Sequence, residues 1–321
     1  TIGFLNPLPF PPYGIYSQLP WRTQIIEGLL GADVVGFQRV ADAANFSRAV
    51  RRLTGFVTKY PHIDVPSYGG GRSRRVLAKA FPIPIDSQSF EELARRPEVQ
   101  ARALEIREGL GNPKTVMLGV DRLDYTKGIG HRLKAFGELL QEGRLSVEDV
   151  TLVQVANPSR ERVQAYMQLR DEIELTVGRI NGDFGTMSHT AISYHHHGYP
   201  REEMVALYLA ADVMLVTALR DGMNLVAKEY VASRFDNDGV LVLSEFTGAS
   251  DELKRSLRIN PHDIDGLKDA IVQAIDMPRD ERARRMRSMR SQVLRHDVER
   301  WSAHFLDALR GIGQDNQAGE D

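Results

Sequence analysis

The chain has 321 residues, of which 42% are hydrophobic and 26% charged, with a formal net charge of −2. This length allows two hydrophobic cores, and the near-neutral charge gives no indication of a nucleic-acid partner or an anionic membrane surface. The chain contains no cysteine, which excludes disulfides, thiolate metal sites and cysteine nucleophiles. No apolar stretch is as long as a membrane span and no signal peptide is recognisable, so we expect a cytoplasmic protein.

Short apolar segments alternate with longer amphipathic ones along the chain. The predicted strands are 1–5, 33–37, 75–81, 115–120, 150–156, 191–195, 212–217 and 239–245. The predicted helices are 22–31, 41–53, 89–109, 129–141, 159–177, 201–211, 225–234 and 264–275. Because the strands are continuously apolar and alternate with helices, the pattern predicts an α/β protein with doubly wound parallel sheets.

The glycines and proline of "EGLGNPK" (108–114) end a long charged helix just before a new strand. They predict a domain boundary near residue 110. Residues 1–110 hold only about three strands, few for an independent doubly wound domain. Residues 111–295 contain a full alternating set. Residues 296–321 begin with a helix that carries Trp301, Phe305 and Leu309 on one stripe and end in a polar tail that we expect to fray.

Ligands of open α/β sheets bind beyond the carboxyl ends of the strands, so a functional site is expected in the loops that follow the strands. The first is "GVDRLDYTKGI" (119–129), which contains Arg122 and Lys127. A guanidinium can bind two oxygens at once and a lysine adds a mobile charge, so this pair suits a diphosphate. The alternative is that both are surface charges paired with Asp121 and Asp124, and the loop alone does not decide between them.

The second loop lies within "LVTALRDGMNLVAKEYV" (215–231), where a buried strand becomes a helix starting at Leu225. The free N–H groups and the positive dipole end of such a helix form a phosphate site. Asp221 precedes the helix and is placed to accept hydrogen bonds from sugar hydroxyls, while Glu229 lies one turn into the helix and suits a ribose diol. Asp221 and Asn224 are also good helix caps, and capping and binding are compatible.

The third loop is "ANPSRERV" (156–163), in which Arg160 is a candidate for an anionic group of a substrate or an ordinary arginine at a helix start. "HHH" (195–197) does not predict a metal site, because adjacent strand positions point to opposite faces and no acidic partner is suitably spaced. Neither G-x-G-x-x-G nor G-x-x-x-x-G-K-[ST] follows a strand, which disfavours NAD and a P-loop.

Taken together, these loops resemble the trehalose-6-phosphate synthase family, retaining glycosyltransferases with the two-domain GT-B architecture. The matching stretches run in the family's order over most of the chain: "PFPP" (9–12), "LPWRTQIIEGLLGADVVGFQ" (19–38), "LGVDRLDYTKGI" (118–129), "RINGDFG" (179–185), "LRDGMNLVAKEYVA" (219–232) and "LVLSEFTGA" (241–249). The resemblance implies two Rossmann-like doubly wound domains that face a cleft, with residues 1–110 on the acceptor side and residues 111–295 binding the nucleotide sugar. It also implies that the last helix, within residues 296–321, crosses back to the first domain.

The resemblance also implies roles for single residues in binding a nucleotide diphosphate glucose. Arg122 and Lys127 bind the diphosphate, and Asp221 meets hydroxyls of the glucose beside Gly222, whose small size allows a close approach. The backbone N–H groups of Leu225 and Val226, with Asn224 beside them, receive the phosphates. Glu229 holds the ribose, and Tyr199 contacts the base.

Arg160 corresponds to the family's residue for the phosphate of glucose 6-phosphate, the acceptor. The resemblance then implies transfer of glucose with retention, in which the leaving phosphate helps to deprotonate the acceptor hydroxyl. Arg122, Lys127 and Asp221 are the residues expected to serve catalysis. No metal and no cofactor are implied.

Two departures from the family keep other interpretations open. Roughly the first third of the family's length precedes the position of Thr1, and Pro7 stands where the family has a histidine beside the donor sugar. The alternatives are a pseudo-glycosyltransferase that couples a cyclitol nucleotide to an aminocyclitol phosphate, and a catalytically silent paralogue that binds sugar phosphate. The base of the donor and the oligomeric state, monomer or homo-oligomer, cannot be inferred from the sequence.

Overall fold

The computed structural model describes residues 1–66, 73–160 and 162–318. The strands are β1 (Gly3–Leu5), β2 (Val34–Phe37), β3 (Val57–Lys59), β4 (His62–Val65), β5 (Arg74–Ala80), β6 (Thr115–Arg122), β7 (Val150–Asn157), β8 (Ile192–His195), β9 (Val213–Val216), β10 (Val240–Ser244) and β11 (Leu257–Ile259). The helices are α1 (Tyr13–Tyr16), α2 (Arg22–Leu29), α3 (Val40–Thr54), α4 (Ser87–Ala94), α5 (Pro97–Gly109), α6 (Ile129–Gln141), α7 (Gln164–Phe184), α8 (Arg201–Ala210), α9 (Leu225–Ser233), α10 (Ala249–Glu252), α11 (Ile264–Ile275), α12 (Arg279–Arg295) and α13 (Val298–Ala318). All eight predicted strands are present, and no helix of the described part is long and apolar enough to cross a bilayer.

Two of the predicted helices differ from the observed ones. The helix predicted at 89–109 is two helices, because Pro97 begins α5 and holds Arg96 in an extended conformation with φ −68° and ψ 130°. The helix predicted at 159–177 begins only at Gln164 and continues to Phe184. Arg160 adopts φ +49°, a left-handed conformation that no α-helix accommodates, so the chain stays in a loop there.

The chain divides into two compact units, unit 1 with residues 1–84 and 296–321 and unit 2 with residues 85–295. Unit 1 contains a five-stranded sheet of order β1-β2-β5-β4-β3. Strands β1, β2 and β5 are parallel, whereas β4 and β3 form an antiparallel hairpin at one edge. The sheet is therefore mixed, whereas the sequence predicted a parallel one. The prediction missed β3 and β4, which have only three and four residues.

Helix α13 packs on the sheet of unit 1 through β5 and β2. Its apolar stripe of Trp301, Phe305 and Leu309 joins a cluster with Val34, Leu77 and Phe81, and the indole of Trp301 donates a hydrogen bond of 3.2 Å to the carbonyl of Phe81. The helix continues to Ala318, so the expected polar tail is helical up to that residue. Residues 319–321 lie outside the described part of the chain.

Unit 2 contains a six-stranded sheet of order β11-β10-β9-β6-β7-β8 in which every neighbouring pair is parallel. The chain runs from β6 outward through β7 to β8, then returns to β9 beside β6 and runs outward in the opposite direction. The order reverses between β6 and β9, and ligands of such sheets bind beyond the strand ends at this switch point. This doubly wound arrangement is the predicted fold.

The boundary between the units lies at residue 84 rather than near the predicted residue 110. Helices α4 and α5 pack on α8 and α9, which belong to unit 2. Two ion pairs tie α5 to unit 2: Arg102 to Glu203 in α8 at 2.9 Å, and Arg107 to Asp212, just before β9, at 2.8 Å. The glycine-rich segment at 108–114 is therefore a turn within unit 2.

Candidate functional site

The loops that follow β6 and β9 are joined by backbone hydrogen bonds. After β6 the chain makes a 3₁₀ turn over Tyr125–Lys127, and the N–H of Leu219 donates to the carbonyl of Thr126 at 2.7 Å. The hydroxyl of Thr217 donates to the carbonyl of Gly128 at 3.1 Å. Gly128 has φ +65°, and a Cβ at this position would lie 2.1 Å from the Thr217 carbonyl oxygen. Only glycine permits this approach, which places the two loops side by side.

The closest contact between the two loops is an ion pair. The Nζ of Lys127 lies 2.6 Å from Oδ2 of Asp221, and the side chains are 13% and 15% exposed. The partners are 94 positions apart in the chain and meet because β6 and β9 are neighbours. The sequence suggested Asp121 or Asp124 as alternative partners for this lysine, and the structure assigns both carboxylates elsewhere. Asp121 forms a fully buried pair with Arg132 at 2.8 Å, and Asp124 caps the 3₁₀ turn.

The turn that carries Asp221 is held from a second side by the loop after β10. The N–H of Asp221 donates to the carbonyl of Phe246, and the N–H of Gly248 donates back to the carbonyl of Asp221, each at 3.2 Å. A Cβ at Gly248 would lie 2.1 Å from the carbonyl oxygen of Gly222, so the two backbones are in direct contact. The carboxylate of Asp221 is thereby fixed at the switch point beside Lys127.

Helix α9 begins at this turn, with Asn224 as its N-cap. The side-chain oxygen of Asn224 accepts a hydrogen bond from the N–H of Ala227 at 3.0 Å, and its amide donates to Asp221 at 3.2 Å. The capping interpretation is thus correct for Asn224 and wrong for Asp221, whose carboxylate faces Lys127 instead. Leu225 and Val226 occupy the first turn, where backbone N–H groups have no partner within the helix. The positive end of the α9 dipole lies next to the ion pair.

Glu229 lies one turn further along α9 and is largely buried. Its Oε2 accepts a hydrogen bond from the hydroxyl of Tyr208 at 2.8 Å. Burial raises the pKa of Glu229, although Tyr208 and the charge of Arg201 oppose this effect. Because Tyr208 occupies Oε2, the other carboxylate oxygen of Glu229 is left for a ligand. Its partly buried position makes the charged form of the carboxyl costly.

Arg122 ends β6 with an exposed side chain, close to Asp124. Burial opposes ionisation of Asp124, but hydrogen bonds from Thr126 and Tyr166 and the charge of Arg122 outweigh it and lower the pKa of this carboxyl. Oδ1 of Asp124 accepts from the N–H of Thr126 at 2.9 Å and from its hydroxyl at 2.7 Å. Asp124 is therefore an ionised cap that shapes the turn between Arg122 and Lys127.

Arg160 lies in the loop after β7, one strand away from β6. Its Nη1 donates a hydrogen bond of 3.2 Å to the hydroxyl of Tyr166, and that hydroxyl also lies 3.2 Å from Oδ2 of Asp124. A cavity of about 340 Å³ adjoins Tyr166. The structure thus connects Arg160 to the β6 loop through Tyr166, a residue to which the sequence pattern drew no attention.

Tyr199 follows β8, two strands away from β6, and makes its side-chain contacts with histidines. Its hydroxyl lies 2.8 Å from Nδ1 of His195, whose Nε2 lies 2.9 Å from the hydroxyl of Ser193. Both ring nitrogens of His195 are engaged, and burial and the charge of His197 lower its pKa. Among residues 1–66, 73–160 and 162–318, no three His, Asp or Glu side chains are grouped so that they would hold a metal ion.

Eight of the ten predicted site residues thus lie at the switch point: Arg122, Lys127, Asp221, Gly222, Asn224, Leu225, Val226 and Glu229. Arg160 is joined to them through one side chain, and Tyr199 lies at a distance of two strands. Sequence reasoning missed Tyr166 and Tyr208. Asp124 with Thr126 two positions later is a capping pattern that was recognisable, whereas nothing around either tyrosine identifies its partner.

The family model for Glycosyltransferase family 20 matches residues 1–311. The chain belongs to glycosyltransferase family 20. This membership confirms the resemblance on which the residue assignments were based. Among curated proteins, a trehalose-6-phosphate synthase of Mycolicibacterium gilvum is 56% identical over 312 residues, which are 96% of this chain and 62% of that protein. A trehalose-6-phosphate synthase of Mycobacterium avium is 55% identical over 316 residues, 98% of this chain and 64% of that protein.

Solved structures of similar proteins have the same fold. An α,α-trehalose-phosphate synthase (UDP-forming) from Burkholderia xenovorans, in complex with glucose-6-phosphate, superposes with a TM-score of 0.89 at 36% identity and covers 96% of this chain and 67% of that one. An E. coli trehalose-6-phosphate structure bound with UDP-2-fluoro glucose gives a TM-score of 0.88 at 34% identity over 96% of this chain and 67% of that one. The predicted α/β architecture is therefore confirmed, and the chain spans 62% to 64% of the length of the two curated relatives.

Proposed function

We propose that this protein transfers glucose from a nucleotide diphosphate glucose to glucose 6-phosphate with retention at the anomeric carbon, giving trehalose 6-phosphate. The observation that carries the proposal is the Lys127–Asp221 pair at the sheet switch point, beside the first turn of α9. A cation, a carboxylate and a helix N-terminus in one place suit a ligand with a diphosphate next to a sugar. Family membership and the bound sugar phosphate and nucleotide-sugar analogue of the solved relatives support the same chemistry.

In this proposal the donor lies across the β6 and β9 loops. Lys127 and Arg122 bind its diphosphate together with the N–H groups of Leu225 and Val226. Asp221 accepts hydrogen bonds from the glucose hydroxyls, and Gly222 and Asn224 shape the turn beside it. The free oxygen of Glu229 accepts from the ribose. Tyr199, in the loop after β8, is proposed for the base.

The chemical problem in this transfer is the negative charge that develops on the leaving diphosphate. Donors that are already positioned before the reaction stabilise such charge most effectively, because they need no reorganisation during the step. Lys127 is fixed by its contact with Asp221, and the α9 dipole is fixed by the Asn224 cap. The leaving phosphate takes the proton of the acceptor hydroxyl on the same face of the sugar, so the proposal needs no protein carboxylate as nucleophile. No metal and no cofactor take part.

Arg160 is proposed to bind the phosphate of glucose 6-phosphate and thereby orient the acceptor, an effect on geometry rather than on bond breaking. We further propose that unit 2 binds the donor and that unit 1 contributes to the acceptor side. We also propose a cytoplasmic location.

One observation favours a second candidate, a silent paralogue that binds sugar phosphate without transfer. Pro7 stands where the resemblance implies a histidine, and proline has neither a side-chain proton nor a backbone N–H to offer a sugar. The pseudo-glycosyltransferase remains the alternative within the same fold. The intact "DRLDYTKG" and "LRDGMNLVAKEY" segments favour transfer of glucose.

The test is to incubate the protein with glucose 6-phosphate and UDP-, GDP- or ADP-glucose and to measure trehalose 6-phosphate and the released nucleotide. Formation of trehalose 6-phosphate with one of the donors is expected. Nucleotide binding by calorimetry without any product would favour the silent paralogue. Product only with a cyclitol nucleotide and an aminocyclitol phosphate would favour the pseudo-glycosyltransferase.

A further inference from the structure

The hydroxyl of Tyr166 occupies the point where two parts of the site meet. Tyr166 lies in the first turn of α7 and is 4% exposed. Its oxygen is 3.2 Å from Nη1 of Arg160 and 3.2 Å from Oδ2 of Asp124. The ring also lies beneath the guanidinium of Arg160, 5.7 Å from Cζ to the ring centre. The same residue therefore contacts the β7 loop and the β6 loop.

The chemistry of the partners fixes the direction of these hydrogen bonds. A guanidinium can only donate and an ionised carboxylate can only accept, so the phenol accepts from Arg160 and donates to Asp124. Both bonds involve a charged partner, which makes them stronger than bonds between neutral groups. Burial and the charge of Asp124 raise the pKa of Tyr166, so the hydroxyl keeps its proton at neutral pH.

The chain of contacts continues from Asp124 to Lys127. Oδ1 of Asp124 caps the 3₁₀ turn through Thr126, and the turn ends at Lys127, whose Nζ contacts Asp221. A side chain that holds Asp124 in place therefore also restrains the turn that presents Lys127. These contacts link Arg160, in the loop after β7, to Lys127, in the loop after β6.

Arg160 depends on this contact for its orientation. It is exposed, lies in a loop and has φ +49°. Within the described part of the chain, Tyr166 is the one residue to which the guanidinium of Arg160 donates a hydrogen bond. A long side chain that is not held loses more freedom on binding a ligand, and the ligand then binds less tightly.

We propose that Tyr166 is a positioning residue whose hydroxyl orients Arg160 for the acceptor phosphate and ties it to the Asp124 turn that presents Lys127. This inference rests on the proposed function, because it takes glucose 6-phosphate as the acceptor bound by Arg160. It assigns to Tyr166 no contact with either substrate. A purely structural tyrosine would contribute its ring and not its hydroxyl.

The experiment compares Tyr166→Phe with the wild type in steady-state kinetics at varied glucose 6-phosphate and saturating donor. We expect KM for glucose 6-phosphate to rise about tenfold, the effect of one hydrogen bond to a charged group, with kcat changed less than about threefold. A loss of folded protein would lower kcat and leave KM unchanged. Tyr125→Phe is the matched control, because Tyr125 is 60% exposed and touches the Tyr166 ring edge-on at 5.7 Å. It should leave both constants within about twofold.

Two further variants test whether Tyr166 acts through its partners. In an Arg160→Ala background, Tyr166→Phe should change KM by less than about twofold, because the group it orients is gone. A full tenfold increase in that background would overturn the inference. If Tyr166→Phe does not fold, Asp124→Asn serves instead and should raise KM for glucose 6-phosphate at least about threefold, since it weakens the bond that holds the phenol. An unchanged KM would overturn the inference.

Calorimetry separates this inference from the proposed function. If the wild type binds glucose 6-phosphate but makes no trehalose 6-phosphate, the proposed transfer fails. The inference is then decided by the dissociation constants, which should differ about tenfold between the wild type and Tyr166→Phe. Equal constants would reject the role of Tyr166, and a wild type that does not bind glucose 6-phosphate would reject both.

Discussion

At the scale of single residues, the contact between Lys127 and Asp221 determines what a donor must replace. Both side chains are mostly shielded from water, so their attraction is screened less than that of a surface pair. A bound diphosphate would supply the counter-charge of the lysine, while sugar hydroxyls would satisfy the carboxylate. In the proposed function the pair therefore holds each group in its working position until the donor arrives.

This arrangement makes Lys127→Ala the most direct test of the donor site. We expect turnover with a nucleotide diphosphate glucose to fall by about 100-fold or more, because the fixed positive charge that stabilises the leaving diphosphate is removed. The fold should persist, since Asp221 still accepts from the amide of Asn224 and the turn keeps its backbone bonds to the β10 loop. Steady-state kinetics and a thermal melt measure the two effects. Lys134→Ala on the exposed face of α6 is the control, and equal turnover in the two variants would rule out the role of Lys127.

Burial of Glu229 makes the stability of the fold decrease as the pH rises. Because burial raises the pKa of Glu229, the folded protein holds this proton more tightly than the unfolded chain does. The stabilisation is fully present below the unfolded pKa of about 4.3 and is lost as the pH rises through the folded pKa. Burial of the charged form of this carboxyl therefore costs stability as the pH rises.

Glu229→Gln should consequently raise the melting temperature at pH 7, and the gain should shrink as the pH falls toward 4. The amide oxygen can still accept from Tyr208, whereas its weaker acceptor strength should lower nucleotide affinity about tenfold. Melting curves across this pH range and calorimetric titration with UDP measure both effects. Glu172→Gln on the exposed side of α7 is the control. A melting temperature for Glu229→Gln at or below that of the wild type at pH 7 would contradict the argument.

At the scale of elements, the site depends on how closely the β6 loop approaches the end of β9. Gly128 stands between the 3₁₀ turn and α6 with φ +65° against the carbonyl of Thr217. We expect Gly128→Ala to destabilise the protein by at least about 2 kcal/mol, from the left-handed backbone and the clash with a backbone atom. Donor affinity should fall with it, because the turn that carries Lys127 must move.

Gly130→Ala is the matched control for Gly128→Ala. It lies two residues further along, inside α6, where an added Cβ meets nothing within 4 Å. Alanine there should be neutral or stabilise the helix by up to about 1 kcal/mol. Urea unfolding monitored by circular dichroism gives both free energies. If the two variants are equally stable, the close approach at Gly128 does not support the loop as described.

The length and composition of each element determine whether the sequence predicted it. Strand β9 is apolar throughout and β7 is predominantly apolar, and both are buried on both faces, so composition alone identified them. The hairpin of β3 and β4 was missed because its strands have three and four residues and largely polar sequences. The break before Pro97 followed from a known effect of proline on the preceding residue and was overlooked.

Sequence also found most of the candidate site, since its residues lie in loops directly after predicted strands. It did not find their partners. Lys127 meets Asp221 rather than a neighbour in its own loop because the sheet places β6 beside β9, and strand order is a property of the whole sheet that no local pattern encodes. The contact of Tyr166 with Asp124 depends in the same way on where α7 begins.

At the scale of the whole molecule, unit 2 contains every one of the ten predicted site residues. It also contains helices α4 and α5, which the sequence assigned to the other domain. These helices bury Phe90, Leu93 and Val99, and each fully buried side chain of this size contributes about 1.5–3 kcal/mol. A further ion pair, Arg290 to Glu91 at 2.7 Å, joins α12 to α4. Unit 2 should therefore be stable only when residues 85–110 are included.

Two fragments test this boundary. We expect residues 85–295 to unfold cooperatively in urea and to bind UDP within about tenfold of the whole chain, because the residues proposed to bind the donor and their supporting helices are all present. Residues 111–295, cut at the boundary that the sequence predicts, expose the faces of α8 and α9 that α4 and α5 cover. We expect this shorter fragment to aggregate or to melt without a cooperative transition. Equal cooperativity and equal UDP affinity of the two fragments would show that α4 and α5 contribute nothing to unit 2, and the domain boundary would return to residue 110.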